Sequence, residues 1–150
     1  ESPYVETYTY DVAGRRLTAE RDERDDGTVD DSWTYAYDAT GNLVVFTYDW
    51  DGDGAADSVT TYAYDAANNL LSTTADTDGD GVADSVTTYT YDAANNLTTV
   101  ARDSGADGDV ESRRAYTYDA DNRVLTDSSD SDGDGALDER TTYTYVVDGC

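Results

Sequence analysis

Apolar and polar residues change places at short range along this chain, and the pattern of change recurs. In the stretch 58–84, Val59-Thr60-Thr61-Tyr62-Ala63-Tyr64 is rich in β-branched and aromatic residues and reads as a strand. Asp65-Ala66-Ala67-Asn68-Asn69 is a polar break. Leu70-Leu71-Ser72-Thr73-Thr74 reads as a second strand, and an acidic run from Asp76 to Asp84 precedes the next one. No window carries a helical period, and the only proline is Pro3. The pattern predicts an all-β chain.

The unit returns every 27 residues, without insertion or deletion. A Tyr-x-Tyr-Asp tetrapeptide marks it at Tyr8, Tyr35, Tyr62, Tyr89 and Tyr116, and Tyr143-Thr144-Tyr145 is a truncated sixth copy. Residues 1–150 therefore read as one array, with copies 8–34, 35–61, 62–88, 89–115 and 116–142 and a terminal partial copy 143–150. A period this strict is the signature of stacked structural units. Two strands per copy predict tandem β-hairpins in one continuous antiparallel, coiling sheet of about 11 strands.

The short break between strands has its own chemistry. Six residues after each first tyrosine stands Gly14, Gly41, Asn68, Asn95 or Asn122. Gly and Asn tolerate the left-handed backbone that a three-residue hairpin loop, a type I turn closed by a bulge, requires at its third place. Asp11, Asp38, Asp65, Asp92 and Asp119 then fall at the first turn position, where a carboxylate accepts backbone N–H groups. This register sets Tyr37 opposite Leu43, Tyr64 opposite Leu70, Tyr91 opposite Leu97, Tyr118 opposite Val124, and in the first copy Tyr10 opposite Arg16. Both tyrosines of a copy share one strand face, read as a core face whose gaps Leu, Val, Thr or Ser fill. Thr7, Thr9, Thr34, Thr61, Thr88, Thr90, Thr117, Thr142 and Thr144 fall on the other.

Here the chain resembles a known family. Tyr10-Asp11-Val12-Ala13-Gly14-Arg15, Tyr37-Asp38-Ala39-Thr40-Gly41-Asn42-Leu43 and Tyr64-Asp65-Ala66-Ala67-Asn68-Asn69-Leu70 look like the YD repeats of bacterial Rhs and Tc-toxin proteins and of animal teneurins. The resemblance covers five copies and implies a coiling sheet of hairpins, usually in a secreted or surface protein. Large members wrap into a hollow shell, which 150 residues do not close alone. The acidic run in each copy is a departure from typical YD repeats.

Composition sharpens the picture at those runs. The formal net charge is -25, from 34 acidic residues and 9 basic ones, all Arg. Nucleic acid and anionic membrane surfaces are repelled by such a chain. The acids are clustered rather than spread, which points to a dication partner rather than to disorder. Three runs are intact: Asp49-Trp50-Asp51-Gly52-Asp53-Gly54-Ala55-Ala56-Asp57, Asp76-Thr77-Asp78-Gly79-Asp80-Gly81-Val82-Ala83-Asp84 and Asp130-Ser131-Asp132-Gly133-Asp134-Gly135-Ala136-Leu137-Asp138. They match positions 1, 3, 5, 6 and 9 of the EF-hand calcium loop, in which alternate carboxylates fold around one ion and Gly at position 6 permits a sharp turn. The carbonyls of Ala55, Val82 and Ala136, at position 7, complete the predicted calcium shell. Two runs are degraded, with Arg24 or Gly105 at position 3; their weaker candidates are Asp22, Asp26 and Asp30, and Asp103, Asp107 and Glu111. No intact run has an acid at position 12, where Thr60, Thr87 and Thr141 stand. Affinity is therefore expected near roughly 10⁻⁴–10⁻³ M, the range of extracellular modules.

Function classes narrow accordingly. There is no His for a nucleophile–base pair and no Lys for a Schiff base, so catalysis is not expected. No apolar run is long enough to span a membrane, and no leader is visible at Glu1, which reads as a mature form or an expressed piece. Cys150 is the single cysteine and makes no internal disulfide. Asn96-Leu97-Thr98 is a glycosylation sequon, and the many threonines are candidate O-glycan carriers. The leading expectation is an extracellular, calcium-binding structural repeat protein that self-associates into a filament or serves as an adhesive stalk. The alternatives are a carbohydrate- or ice-binding surface module using the threonine face, or a fragment of a larger YD-repeat toxin shell.

Overall fold

A computed structural model of the chain describes residues 4–146; Glu1, Pro3, Cys150 and the end of the terminal copy lie outside the described residues. Every regular element among the described residues is a strand: β1 Val5–Tyr10, β2 Arg16–Asp22, β3 Asp31–Tyr37, β4 Leu43–Asp49, β5 Ser58–Tyr64, β6 Leu70–Asp76, β7 Ser85–Tyr91, β8 Leu97–Asp103, β9 Ser112–Tyr118, β10 Val124–Asp130 and β11 Glu139–Thr142. They form one 11-stranded antiparallel sheet in chain order. Contacts between elements join only sequential strands, so the sheet is open. Strand β11 stops at Thr142, short of the expected Tyr143-Thr144-Tyr145, although Tyr143 N–H still donates to the Leu125 carbonyl (2.9 Å). It has a neighbour on one side only.

The predicted hairpin register is the observed one. Tyr37 faces Leu43, Tyr64 faces Leu70, Tyr91 faces Leu97, Tyr118 faces Val124 and Tyr10 faces Arg16. The residues expected to be left-handed are so, with φ between 61° and 64° at Asn68, Asn95 and Asn122, 80° at Gly14 and 97° at Gly41. Each turn aspartate holds its turn as anticipated: Asp65 Oδ1 accepts the N–H of Ala67 (2.8 Å) and of Asn69 (2.9 Å). Its Oδ2 accepts the Asn69 side-chain amide at 2.9 Å. That amide also donates to Asn95 of the next turn at 2.9 Å, as Asn42 does to Asn68 and Asn96 to Asn122, both at 2.8 Å. An asparagine ladder thus runs along the turn edge. In the first and fifth copies Arg15 and Arg123 replace the asparagine, bind Asp11 and Asp119, and lie over the rings of Tyr37 (4.8 Å) and Tyr145 (4.5 Å).

Register between hairpins adds a stagger. Thr34 faces Thr47, which faces Val59, the residue 27 after Ser32. One repeat therefore moves the pairing two residues toward the acidic loops, and Thr61–Thr74–Val86 and Thr88–Ala101–Arg113 take the same step. Two residues are about 6.8 Å of strand against about 9.6 Å for two strand spacings. The resulting tilt of about 35° is that of strands in closed barrels.

The tyrosine face is not a core, which corrects the sequence expectation. No side chain among the described residues is fully buried, and the buried apolar residues are only Ala19 and Ala101. Tyr35, Tyr62, Tyr89 and Tyr116 are half-buried, while Thr34, Thr61, Thr88 and Thr117 opposite them are exposed. A single layer gives a ring neighbours beside it but none above. The gap between equivalent tyrosines is bridged across the intervening strand: Tyr91, Tyr118 and Tyr145 donate their hydroxyls to the carbonyls of Leu70 (2.9 Å), Leu97 (2.7 Å) and Val124 (2.9 Å).

Candidate metal centres along the loop edge

The acidic runs are the connections between hairpins, and they lie along the edge opposite the turns. All five close alike, the N–H of the ninth residue donating to the carbonyl just before the loop: Asp30 to Arg21, Asp57 to Tyr48, Asp84 to Ala75, Glu111 to Arg102 and Asp138 to Ser129, at 2.8–3.0 Å. Pairing of the flanking strands, such as Tyr48 with Ser58, brings the first and ninth residues together.

In the three intact loops the first aspartate is the hub. Asp49 accepts the N–H groups of Gly52 (2.8 Å) and Gly54 (2.9 Å). Asp76 accepts those of Gly79 and Gly81 (both 2.8 Å), and Asp130 those of Gly133 (2.8 Å) and Gly135 (3.0 Å). Asp49 and Asp130 are buried and Asp76 is half-buried. The third residue accepts from the fifth, as Asp53 N–H to Asp51, Asp80 to Asp78 and Asp134 to Asp132. The fifth accepts the N–H of the seventh, from Ala55, Val82 and Ala136, each at 2.7 Å. The ninth reaches back to the second: Asp57 to Trp50, Asp84 to Thr77 and Asp138 to Ser131. The Thr77 hydroxyl, also bonded to Asp84 at 2.6 Å, holds that carboxyl below its ordinary range.

These bonds leave oxygens converging. One carboxylate oxygen from each of Asp49, Asp51 and Asp53 lies within 4.8 Å of the others; so do those of Asp76, Asp78 and Asp84, of Asp103, Asp107 and Glu111, and of Asp130, Asp132 and Asp138. Two oxygens on one calcium ion at 2.3–2.6 Å are at most about 5 Å apart, so the clusters fit a calcium-sized cation with hard oxygen donors. Asp57, Asp80 and Asp134 stand outside these triplets, engaged with loop N–H groups. Asp22, Asp26 and Asp30 are not brought together in this way. Arg24, at position 3, places its guanidinium among them instead, 2.7 Å from Asp30 and 3.7 Å from Asp26. The Glu23 N–H and that guanidinium keep the Asp30 carboxyl ionised below its usual range.

Three features escape a reading of spacing alone. Position 4 of the intact loops, Gly52, Gly79 and Gly133, is left-handed as well as position 6, although only position 6 belongs to the calcium-loop pattern. The doubled glycine in D-x-D-G-D-G is the signal that could have revealed it. Second, Trp50 of the second loop packs edge-on to Tyr48 (6.1 Å), which stacks on Trp33 (5.2 Å), the largest aromatic cluster of the sheet. Third, the sequon residue Asn96 is half-buried and its amide nitrogen donates to both Asp92 (3.0 Å) and Asn122 (2.8 Å).

Comparison with solved structures bears on the fold. The chain is similar to a chain of a Photorhabdus luminescens Tc holotoxin pore, with a TM-score of 0.57 and 17% identity over 97% of this chain and 10% of that one. It is also similar to a TcdB2–TccC3 crystal structure, with a TM-score of 0.41 and 17% identity over 91% of this chain and 8% of the other. The chain thus spans about a tenth of the toxin chains it matches. No protein-family model and no curated protein matches it. At this identity the likeness is one of fold: the repeated hairpins have the architecture of a stretch of a Tc toxin chain, in keeping with the resemblance carried by Tyr-x-Tyr-Asp.

Proposed function

We propose that this chain is a wall segment of a larger YD-repeat shell, with a loop edge stiffened by calcium. The observation that carries the wall reading is the fold match of 97% of the chain to 10% of a Tc holotoxin chain. The open sheet supports it. Strands β1 and β11 each have one neighbour, the aromatic face is half-covered, and the stagger continues into a coil as repeats are added. The role is structural rather than catalytic, since each turn or loop acid serves its own repeat. Sites of the expected affinity class suit extracellular calcium, near millimolar, which favours a location outside the cell. Electron microscopy of a longer polypeptide carrying the segment tests the wall: a hollow particle is expected, and a solid or extended one refutes it.

The free edges at β1 and β11 favour a second reading, self-association into a filament. Filaments formed by the purified chain itself would select it. Calcium binding rests on the oxygen convergence in the loops and is tested separately. Calorimetry is expected to show uptake at millimolar calcium. Terbium in the second loop is expected to luminesce on indole excitation, because Trp50 belongs to that loop, and Trp50→Leu to reduce the emission. No uptake of either ion sinks the calcium reading.

A further inference from the structure

Positions 4 and 6 of the intact loops share a left-handed backbone: φ is 68° and 89° at Gly52 and Gly54, 71° and 86° at Gly79 and Gly81, and 72° and 87° at Gly133 and Gly135. They differ in what stands beside them. A Cβ on Gly52 would lie 2.0 Å from the Val29 carbonyl oxygen, on Gly79 2.6 Å from that of Ala56, and on Gly133 2.2 Å from that of Val110. A Cβ on Gly54, Gly81 or Gly135 would meet nothing within 4 Å. Val29, Ala56 and Val110 are each the eighth residue of the preceding loop, next to its closing acid Asp30, Asp57 or Glu111. The main chain of one loop therefore rests on the main chain of the loop before it, at the point where that loop is sealed. The fourth loop breaks the series. Ala106 stands at position 4 with φ of 50°, and a residue that carries a Cβ is incompatible with an approach as close as those of Gly52, Gly79 and Gly133.

We propose that this glycine-on-carbonyl contact couples the acidic loops into two conformational units, the first to third loops and the fourth with the fifth, divided at Ala106. Ordering of one loop then orders its neighbour within the unit, because the contact has no slack to absorb a shift. The consequence for cations rests on the calcium reading above: the second and third loops fill together, and the fifth fills independently of them.

Asparagine tolerates a left-handed backbone but carries a Cβ, so Gly79→Asn and Gly81→Asn differ mainly in the neighbour contact. Amide spectra and thermal unfolding of the full chain in calcium compare them. Gly79→Asn is expected to displace the Ala56 and Asp57 signals of the second loop and to lower the unfolding midpoint further than Gly81→Asn, whose changes stay in the third loop. Gly133→Asn and Gly135→Asn repeat the comparison on the fourth loop. A Gly79→Asn chain that fails to fold where Gly81→Asn folds also supports the coupling. Both variants behaving alike, folding or failing together, overturns it. A calcium titration of the unaltered chain is expected to be cooperative, and the cooperativity to be lost in Gly79→Asn. Absence of calcium uptake refutes the calcium reading and leaves the amide comparison standing; uptake with the second loop unmoved refutes the coupling and leaves the calcium reading standing.

Discussion

The two edges of the sheet use the same side chain to different ends. On the turn edge the aspartate that opens each turn is answered by its own turn: Asp65 has two backbone N–H groups and an amide on its two oxygens. On the loop edge Asp76 is as well supplied, by Gly79 and Gly81, yet Asp78 and Asp84 bring further carboxylate oxygens within 4.8 Å of its own. Hydrogen bonds from loop N–H groups satisfy lone pairs, but they do not remove net charge. Like charges closer than the Debye length of about 8 Å repel through any physiological salt. A turn is therefore complete by itself, whereas an intact loop gathers negative charge that its own hydrogen bonds do not offset. The first loop supplies its own cation in Arg24.

The largest effect that would break this comparison is chelation. At calcium tenfold above Kd each filled site contributes about 1.4 kcal/mol, so three sites contribute about 4 kcal/mol. Differential scanning calorimetry is expected to show the midpoint falling by roughly 10 °C in chelator. Sodium chloride is expected to restore part of it, since screening relieves repulsion but supplies no ligation. Equal midpoints in chelator and calcium would reduce the loop edge to the status of the turn edge.

A smaller break is local to the turns. Asn68→Val forces a β-branched residue into φ of 64° and removes the acceptor used by Asn42. The backbone strain alone costs about 1–2 kcal/mol. Denaturant unfolding is expected to show that loss, and Asn68→Gly, which keeps the backbone relaxed, to show less. On the loop edge the reverse experiment gains stability: Ala106→Gly relieves a left-handed alanine and is expected to add about 1 kcal/mol. A midpoint that does not rise would mean that Ala106 bears no strain.

The smallest effect sharpens the turn edge by pH. The Thr40 hydroxyl, with the backbone and side-chain N–H groups of Asn42, holds the Asp38 carboxyl at about 2 against an ordinary 3.8. Because the folded-state value is the lower one, its contribution is whole above the ordinary value and is lost as pH falls from about 4 toward about 2. Asp38→Asn is expected to flatten stability in that window relative to the unaltered chain. An unchanged slope would show the carboxylate to be incidental to the turn.

How much of this was legible follows from range. Asp65, Asn68 and Leu70 lie within nine residues of Tyr62, and turn chemistry with a period of two leaves one register for them. The acid spacing of the loops is equally local, so the candidate residues could be named from the chain. Whether Asp22, Asp26 and Asp30 converge was not legible, because Arg24 can point outward or inward and the spacing is the same. Nor was the exposure of the tyrosine face, since alternation separates two faces without stating that anything covers either.

What the sequence by itself determined is therefore the repeat: strand, bulged turn, strand and acidic loop, each set by neighbours within one 27-residue copy. What only the tertiary structure decided lies between copies. The two-residue stagger sets Gly52 against Val29 and Gly79 against Ala56 and lines asparagine amides along the turn edge. Those contacts join residues 23–26 positions apart, and their geometry depends on how far one hairpin slides on the next. That slide is fixed by packing across the strand pair, and no short-range pattern in the chain encodes it.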